Sequence, residues 1–224
     1  MRRLKQKGYL NSILIIAVVI IIVLSGFFGL TMGLNTPVPL RVVESGSMCV
    51  PYDAHCDGWL SLTHPFSPTL HKGDIIIVQG IDPKELKTSY PNSDIIVYKK
   101  PNNPNDTPIV HRIVTSYEAN GTLYFQTKGD GNGKPYPAVV NPSDYDSNSG
   151  IIQPSGQGVP ANLVEGKVIM RIPYFGWITL ILKENSLTLP IILTIIILLI
   201  VLEFVRPMLK NRKEKRIDTQ NFDI

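Results

Sequence analysis

The sequence predicts a mainly β domain flanked by two transmembrane helices. Three observations carry this reading. Long apolar blocks stand near both ends of the chain, and each adjoins a run of basic residues. The stretch between them, 35–186, holds five short β-branched or aromatic runs separated by Gly, Pro and Asn. That stretch shows no convincing helical periodicity.

From the N-terminus, residues 1–10 carry Arg2, Arg3, Lys5 and Lys7 without an acid. The first apolar block follows at 11–34 and is uncharged. A helix needs about 20 apolar residues to cross a bilayer, so this block is long enough to span. It exceeds the ~7–15 apolar residues usual in a cleaved signal peptide, and no clear small-x-small site follows it, so an uncleaved anchor is expected. The second block, 187–206, has Glu203 only near its end and leads into a basic tail, 207–224. A soluble domain of the remaining size has no room to bury two such helices. With basic residues beyond both blocks, both termini are expected in the cytoplasm and 35–186 outside, in a multi-pass protein of the cell membrane. The net charge of +4 belongs mainly to these flanks, and no basic patch marks a nucleic-acid partner.

Within 35–186, strands are expected at Asp74-Ile75-Ile76-Ile77-Val78, Asp94-Ile95-Ile96-Val97-Tyr98, 109–115, Leu123-Tyr124-Phe125-Gln126-Thr127 and 164–172. Such spacing is the pattern of a β-barrel or sandwich. Long loops are expected at 51–68 and 131–161, and long loops in compact domains are usually functional or mobile. Cys49 and Cys56 are the two cysteines. In an outward-facing domain they are permitted to pair as a disulfide; free thiols are an alternative. A metal set of Cys49, His55, Cys56 and His64 matches no trusted zinc spacing. Triplets at Asn105 and Asn120 have the form of N-glycosylation acceptors and agree with an external location.

The chemistry centres on Val43-Glu44-Ser45-Gly46-Ser47-Met48, a Gly-containing turn just after the first apolar block. A serine hydroxyl needs a base to remove its proton and donors to hold the oxyanion that forms. Histidine is the usual base, and an acid fixes its tautomer. In chain order the sequence offers Ser47, His111 and Asp130. Singly, each has an ordinary structural reading: a turn serine, a strand histidine, a Gly-Asp turn.

Together they resemble a family. Ser45-Gly46-Ser47-Met48, Leu70-His71-Lys72-Gly73-Asp74, Asp94-Ile95-Ile96-Val97-Tyr98, Ile109-Val110-His111-Arg112-Ile113-Val114 and Thr127-Lys128-Gly129-Asp130 are similar to the ordered blocks of type I signal peptidases. His111 marks the archaeal and endoplasmic-reticulum branch, because the bacterial branch has a lysine there. Ile172-Pro173-Tyr174-Phe175-Gly176-Trp177-Ile178 is similar to the block that closes the family's catalytic domain. The resemblance implies an extracytoplasmic, signal-peptidase-like catalytic domain with Ser47 as nucleophile and His111 as base. The Ser47 N–H and the Ser45 hydroxyl would form the oxyanion hole. Met48 would help seat the site at the membrane or pack in the core. The implied partners are signal peptides of secretory preproteins and the lipid bilayer, with cleavage after small residues through an acyl-enzyme. No metal or organic cofactor is implied.

Two departures stand out. Residues 49–67 interrupt the usual passage from the Met to the next block, as an insertion beside the nucleophile. Relatives also carry a second acid six residues after the Gly-Asp aspartate, where this chain has Tyr136. Either Asp130 orients His111, which is the first expectation, or an insertion has moved the acid to Asp144 or Asp146. Lys128 as base in a Ser–Lys pair is a further alternative. A non-catalytic, membrane-anchored scaffold of the same fold would look nearly the same.

Overall fold

The computed structural model describes residues 2–50, 69–147, 157–184, 187–199 and 201–202. Much of the expected insertion and its Cys56, and all of the expected C-terminal tail, 207–224, lie outside the described residues. The chain divides into two units, Met1–Trp177 and Ile178–Ile224.

The first unit opens with α1, Arg2–Gly33. Its stretch Leu14–Gly33 has a mean hydropathy of 2.9 and is unburied, so it is long and apolar enough to cross a membrane. Asn35 ends the helix in the left-handed region, at φ 49°, as a short polar side chain permits. The Gly80 N–H then donates to Leu34 O at 2.8 Å. A Cβ on Gly80 would lie 2.0 Å from Asn35 O, so only glycine allows this close approach. The helix end is thereby fixed to the end of a strand.

Among the described residues, seven strands form one curled antiparallel sheet: β1 (Leu40–Val42), β2 (Ile75–Gln79), β3 (Ile95–Tyr98), β4 (Ile109–Ala119), β5 (Thr122–Lys128), β6 (Val159–Pro160) and β7 (Val164–Ile172), in the order β1-β2-β7-β3-β4-β5-β6. All five expected strands are present. β1 and β6 were not anticipated; at three and two residues they are too short for periodicity to register, and they are the edges of the sheet. The β4–β5 hairpin turns on Asn120 and Gly121, at φ 51° and 73°, a pair of positive angles suited to a two-residue hairpin.

β3 is buried on both faces, which explains its uninterrupted apolar run. Ile95 and Val97 pack with Val43, Met48, Leu70 and Ile76. Ile96 and Tyr98 pack on the other side with Ile113, Phe125 and Val159. The turn before β2 braces the segment that leads to Ser47: Val43 N–H donates to Asp74 O and Gly73 N–H to Val43 O, both at 2.9 Å. Asp74 in turn accepts from His71 N–H at 3.0 Å and Arg171 Nη1 at 3.3 Å. Gly73, at φ 89°, makes room for the Trp177 indole, over which Lys72 Nζ sits 5.4 Å from the ring centroid.

α2 covers Trp177–Glu184, with Ile178 onward in the second unit, and α3 covers Thr188–Leu199. The expected second span, 187–206, runs partly outside the described residues.

Candidate active site

Ser47 sits in a turn closed by the Cys49 N–H donating to Gly46 O at 2.8 Å. Met48 points into the core and is 1% exposed, so its packing role is the one the fold uses. Cys49 is disulfide-bonded; its expected partner, Cys56, lies outside the described residues. The turn is also gripped from the end of β5. Gly131 N–H donates to Ser47 O at 2.9 Å, and Asp130 N–H points at Met48 Sδ at 3.4 Å. Gly129 and Gly131 leave no space for side chains here. A Cβ on Gly129 would come within 2.5 Å of Ser47 O, and one on Gly131 within 2.1 Å of Cys49 O.

His111 stands on β4 opposite Ile96 of β3 and is buried. Its Nε2 lies 2.9 Å from Ser47 Oγ. Its Nδ1 lies 2.5 Å from Asp146 Oδ2. Nδ1–H facing a carboxylate leaves the Nε2 lone pair free to accept the Ser47 proton. Ser45 Oγ is 3.1 Å from Ser47 Oγ. Among the described residues the Ser47 backbone N–H has no acceptor, which leaves it available to an oxyanion.

Asp146 is itself oriented. It follows a 3-10 turn, Pro142–Asp144, and its N–H donates to Thr127 O at 2.9 Å. Its Oδ2 accepts from Thr127 Oγ1 at 2.9 Å, and Tyr98 OH lies 3.0 Å from that hydroxyl. Burial holds the Tyr98 phenol well above its ordinary value of 10.0, with the nearby Asp146 carboxylate pushing the same way. A neutral tyrosine thus backs the carboxylate.

Asp130 does not meet His111. Its carboxylate receives Arg112 Nε at 2.8 Å and Nη2 at 2.9 Å, a two-pronged buried pair. Burial lifts its pKa, with the guanidinium and Lys128 pulling the other way. Arg112 also donates to Ser93 O at 2.9 Å and stacks 4.5 Å from the Tyr136 ring centroid. Tyr136, at the position where relatives carry the second acid, therefore covers an arginine. The expectation that Asp130 holds the histidine gives way geometrically to its stated alternative, Asp146. The physical reason is side-chain direction: Arg112 follows His111 on β4, so the two project to opposite faces, and Asp130 lies with Arg112.

Asp144 bonds the Asn141 N–H at 3.0 Å, within the 3-10 turn. Lys128 is buried, and its Nζ donates to Gly129 O at 3.1 Å. Burial draws its pKa down, against the pull of Asp130, Asp144 and Asp146. Among the described residues, no group of three or more His, Cys, Asp or Glu side chains could hold a metal ion.

A cleft of about 420 Å³ opens over Ser47 and His111. Val42, Val43 and Glu44 form part of its lining, as do Pro108, Ile109 and Val110.

No family model matches the chain. Curated proteins do. It is 27% identical over 176 residues to the signal peptidase complex catalytic subunit SEC11 of Verticillium alfalfae, covering 78% of this chain and 81% of that protein. The SEC11 subunit of Pyricularia oryzae is also 27% identical over the same shares. The dog subunit SEC11C is 24% identical over 185 residues, covering 82% of this chain and 78% of the relative. The Ser47 turn, the His111 strand and these relatives agree: the homologues of this chain are signal peptidase catalytic subunits, of the endoplasmic-reticulum-type branch of type I signal peptidases.

Proposed function

We propose that this chain is a membrane-bound serine endopeptidase that removes signal peptides from secretory preproteins. The observation that carries the mechanism is the contact of Ser47 Oγ with His111 Nε2 at 2.9 Å, with Asp146 behind the ring. Ser47 Oγ attacks the scissile carbonyl as its proton passes to His111 Nε2. The Ser47 N–H and the Ser45 hydroxyl hold the oxyanion. The C–N bond then breaks, and Nε2 returns the proton to the departing nitrogen. Water repeats the cycle on the acyl-enzyme, releasing the acid and free Ser47. Asp146 keeps the proton on Nδ1 throughout. Asp130 serves the site indirectly, by fixing Arg112 and the turn beneath Ser47.

The substrate lies extended in the cleft between β1 and the start of β4, where backbone pairing holds it as an added strand. Shallow pockets there favour small side chains before the cut. α1 anchors the enzyme, and 187–206 forms the second span. The β domain faces outward and both termini face the cytoplasm. Sharing a bilayer with the signal peptide raises the effective concentration of both. The curled sheet is the signal-peptidase-like β-barrel or sandwich domain.

The test is cleavage of a model preprotein by the purified full chain in lipid or detergent. Cleavage after a small residue that disappears in folded Ser47→Ala and His111→Ala proteins is expected. Cleavage that survives either change sinks the mechanism. Absence of cleavage by folded wild-type protein, across several preproteins, favours the non-catalytic scaffold.

A further inference from the structure

We infer that Asn132 is a substrate-binding residue on the leaving-group side of the cut, its side-chain amide donating to the carbonyl oxygen of the residue that follows the scissile bond. The inference rests on the peptidase reading above and adds a residue to it.

Three atoms crowd the one point where a Cβ on Gly129 would stand. They are Ser47 O at 2.5 Å, Asn132 Nδ2 at 2.7 Å and His111 Nε2 at 3.0 Å. Asn132 is therefore a neighbour of the nitrogen that carries the proton between nucleophile and leaving group. It also lines the catalytic cleft. Among the described residues its side chain has no hydrogen-bond partner. An amide NH2 offers two donors, and here both are left to whatever occupies the cleft.

The residue is held rigidly. Asn132 N–H donates to Gly129 O at 3.0 Å, and Gly131 N–H donates to Ser47 O at 2.9 Å. The turn that carries Asn132 thus shares a hydrogen bond with the nucleophile's own carbonyl and keeps its distance from Ser47 constant.

The reaction geometry assigns the donor's target. His111 Nε2 must give its proton to the departing nitrogen, so that nitrogen lies beside Nε2. A donor that also lies beside Nε2 faces the first peptide unit of the departing chain. The acceptor that unit offers is its carbonyl oxygen. Ser45 and the Ser47 N–H come from the nucleophile turn and serve the carbonyl under attack. Asn132 comes from another element and serves the next one.

The experiment compares two substrates with the same residues before the cut. One extends several residues beyond it; the other ends in a methyl ester and has no carbonyl on the leaving group. For Asn132→Ala, kcat/KM on the extended peptide falls about tenfold, the worth of one hydrogen bond, while the ester is cleaved as by wild type. Asn132→Asp, which offers no donor when ionised, shows the same selective loss. Ser45→Ala slows both substrates. An equal loss on both substrates in Asn132→Ala, or no loss on either, overturns the assignment and leaves the peptidase standing. Wild-type protein that cleaves neither substrate overturns the peptidase, and this inference with it.

Discussion

His111 Nδ1 lies 2.5 Å from Asp146 Oδ2, across 35 residues of chain. The loop that returns Asp146 to the sheet docks through its N–H on Thr127 O, at the end of β5 beside β4. A backbone contact between neighbouring strands and a loop thereby aims a carboxylate at the imidazole.

Asp146→Asn is expected to lower kcat about 10⁴-fold, because an amide no longer enforces the proton on Nδ1. The folded fraction, read by near-UV circular dichroism, stays at the wild-type value. Wild-type turnover by the folded variant rules out Asp146 as the orienting acid.

Asp130→Ala acts on stability first. It removes the carboxylate partner of the Arg112 guanidinium in a buried site, where breaking an ion pair costs about 3–5 kcal/mol. A denaturant titration reads this directly. A stability change below about 1 kcal/mol, together with a complete loss of turnover, would return Asp130 to the catalytic role first expected for it.

Gly129→Ala brings a methyl group against Ser47 O and His111 Nε2 together. One of them must move, and a displacement of about 1 Å at a reacting group costs about 10²-fold in rate. Single-turnover kinetics on the folded variant measures it; an unchanged rate means the turn yields elsewhere.

Tyr98 gives the alkaline limb of stability. Its phenol ionises near 10.0 when unfolded but well above that when folded, so the folded state holds the proton longer. That contribution is complete below pH 10 and is lost as pH rises beyond it. Tyr98→Phe is expected to flatten the fall in unfolding free energy above pH 10, at a cost of about 0.5–1.5 kcal/mol at neutral pH for the lost hydrogen bond to Thr127. An equally steep fall in both proteins would assign the limb to other groups.

Cys49, two residues after Ser47, is disulfide-bonded. Cys49→Ser is expected to lower stability by about 2–4 kcal/mol, and reduction of wild type with dithiothreitol to lower Tm in parallel. If Tm is unmoved by reduction, the bond contributes nothing to the fold.

Much of this protein is determined by sequence alone, wherever the cause is local. An uncharged run of apolar residues, long enough to cross a bilayer, dictates the Leu14–Gly33 part of α1, because a helix bonds its backbone groups within itself. The β-branched runs at Ile75, Ile95 and Ile109 and the Asn120-Gly121 turn dictate strands and a hairpin for reasons contained within a few residues. Ser45-Gly46-Ser47-Met48 and His111 already carried the family resemblance. The third member of the constellation is of another kind. Asp130, Asp144 and Asp146 carry the same carboxylate, and nothing within a few residues of any of them says which faces the imidazole. Tertiary structure decides it: Arg112, pointing away from His111, captures Asp130; Asp144 turns back onto its own 3-10 backbone; and Thr127 draws Asp146 under the ring. The two edge strands and the reach of Asn132 into the cleft are decisions of the same sort, since each depends on partners distant in sequence that only the folded chain brings within hydrogen-bonding range.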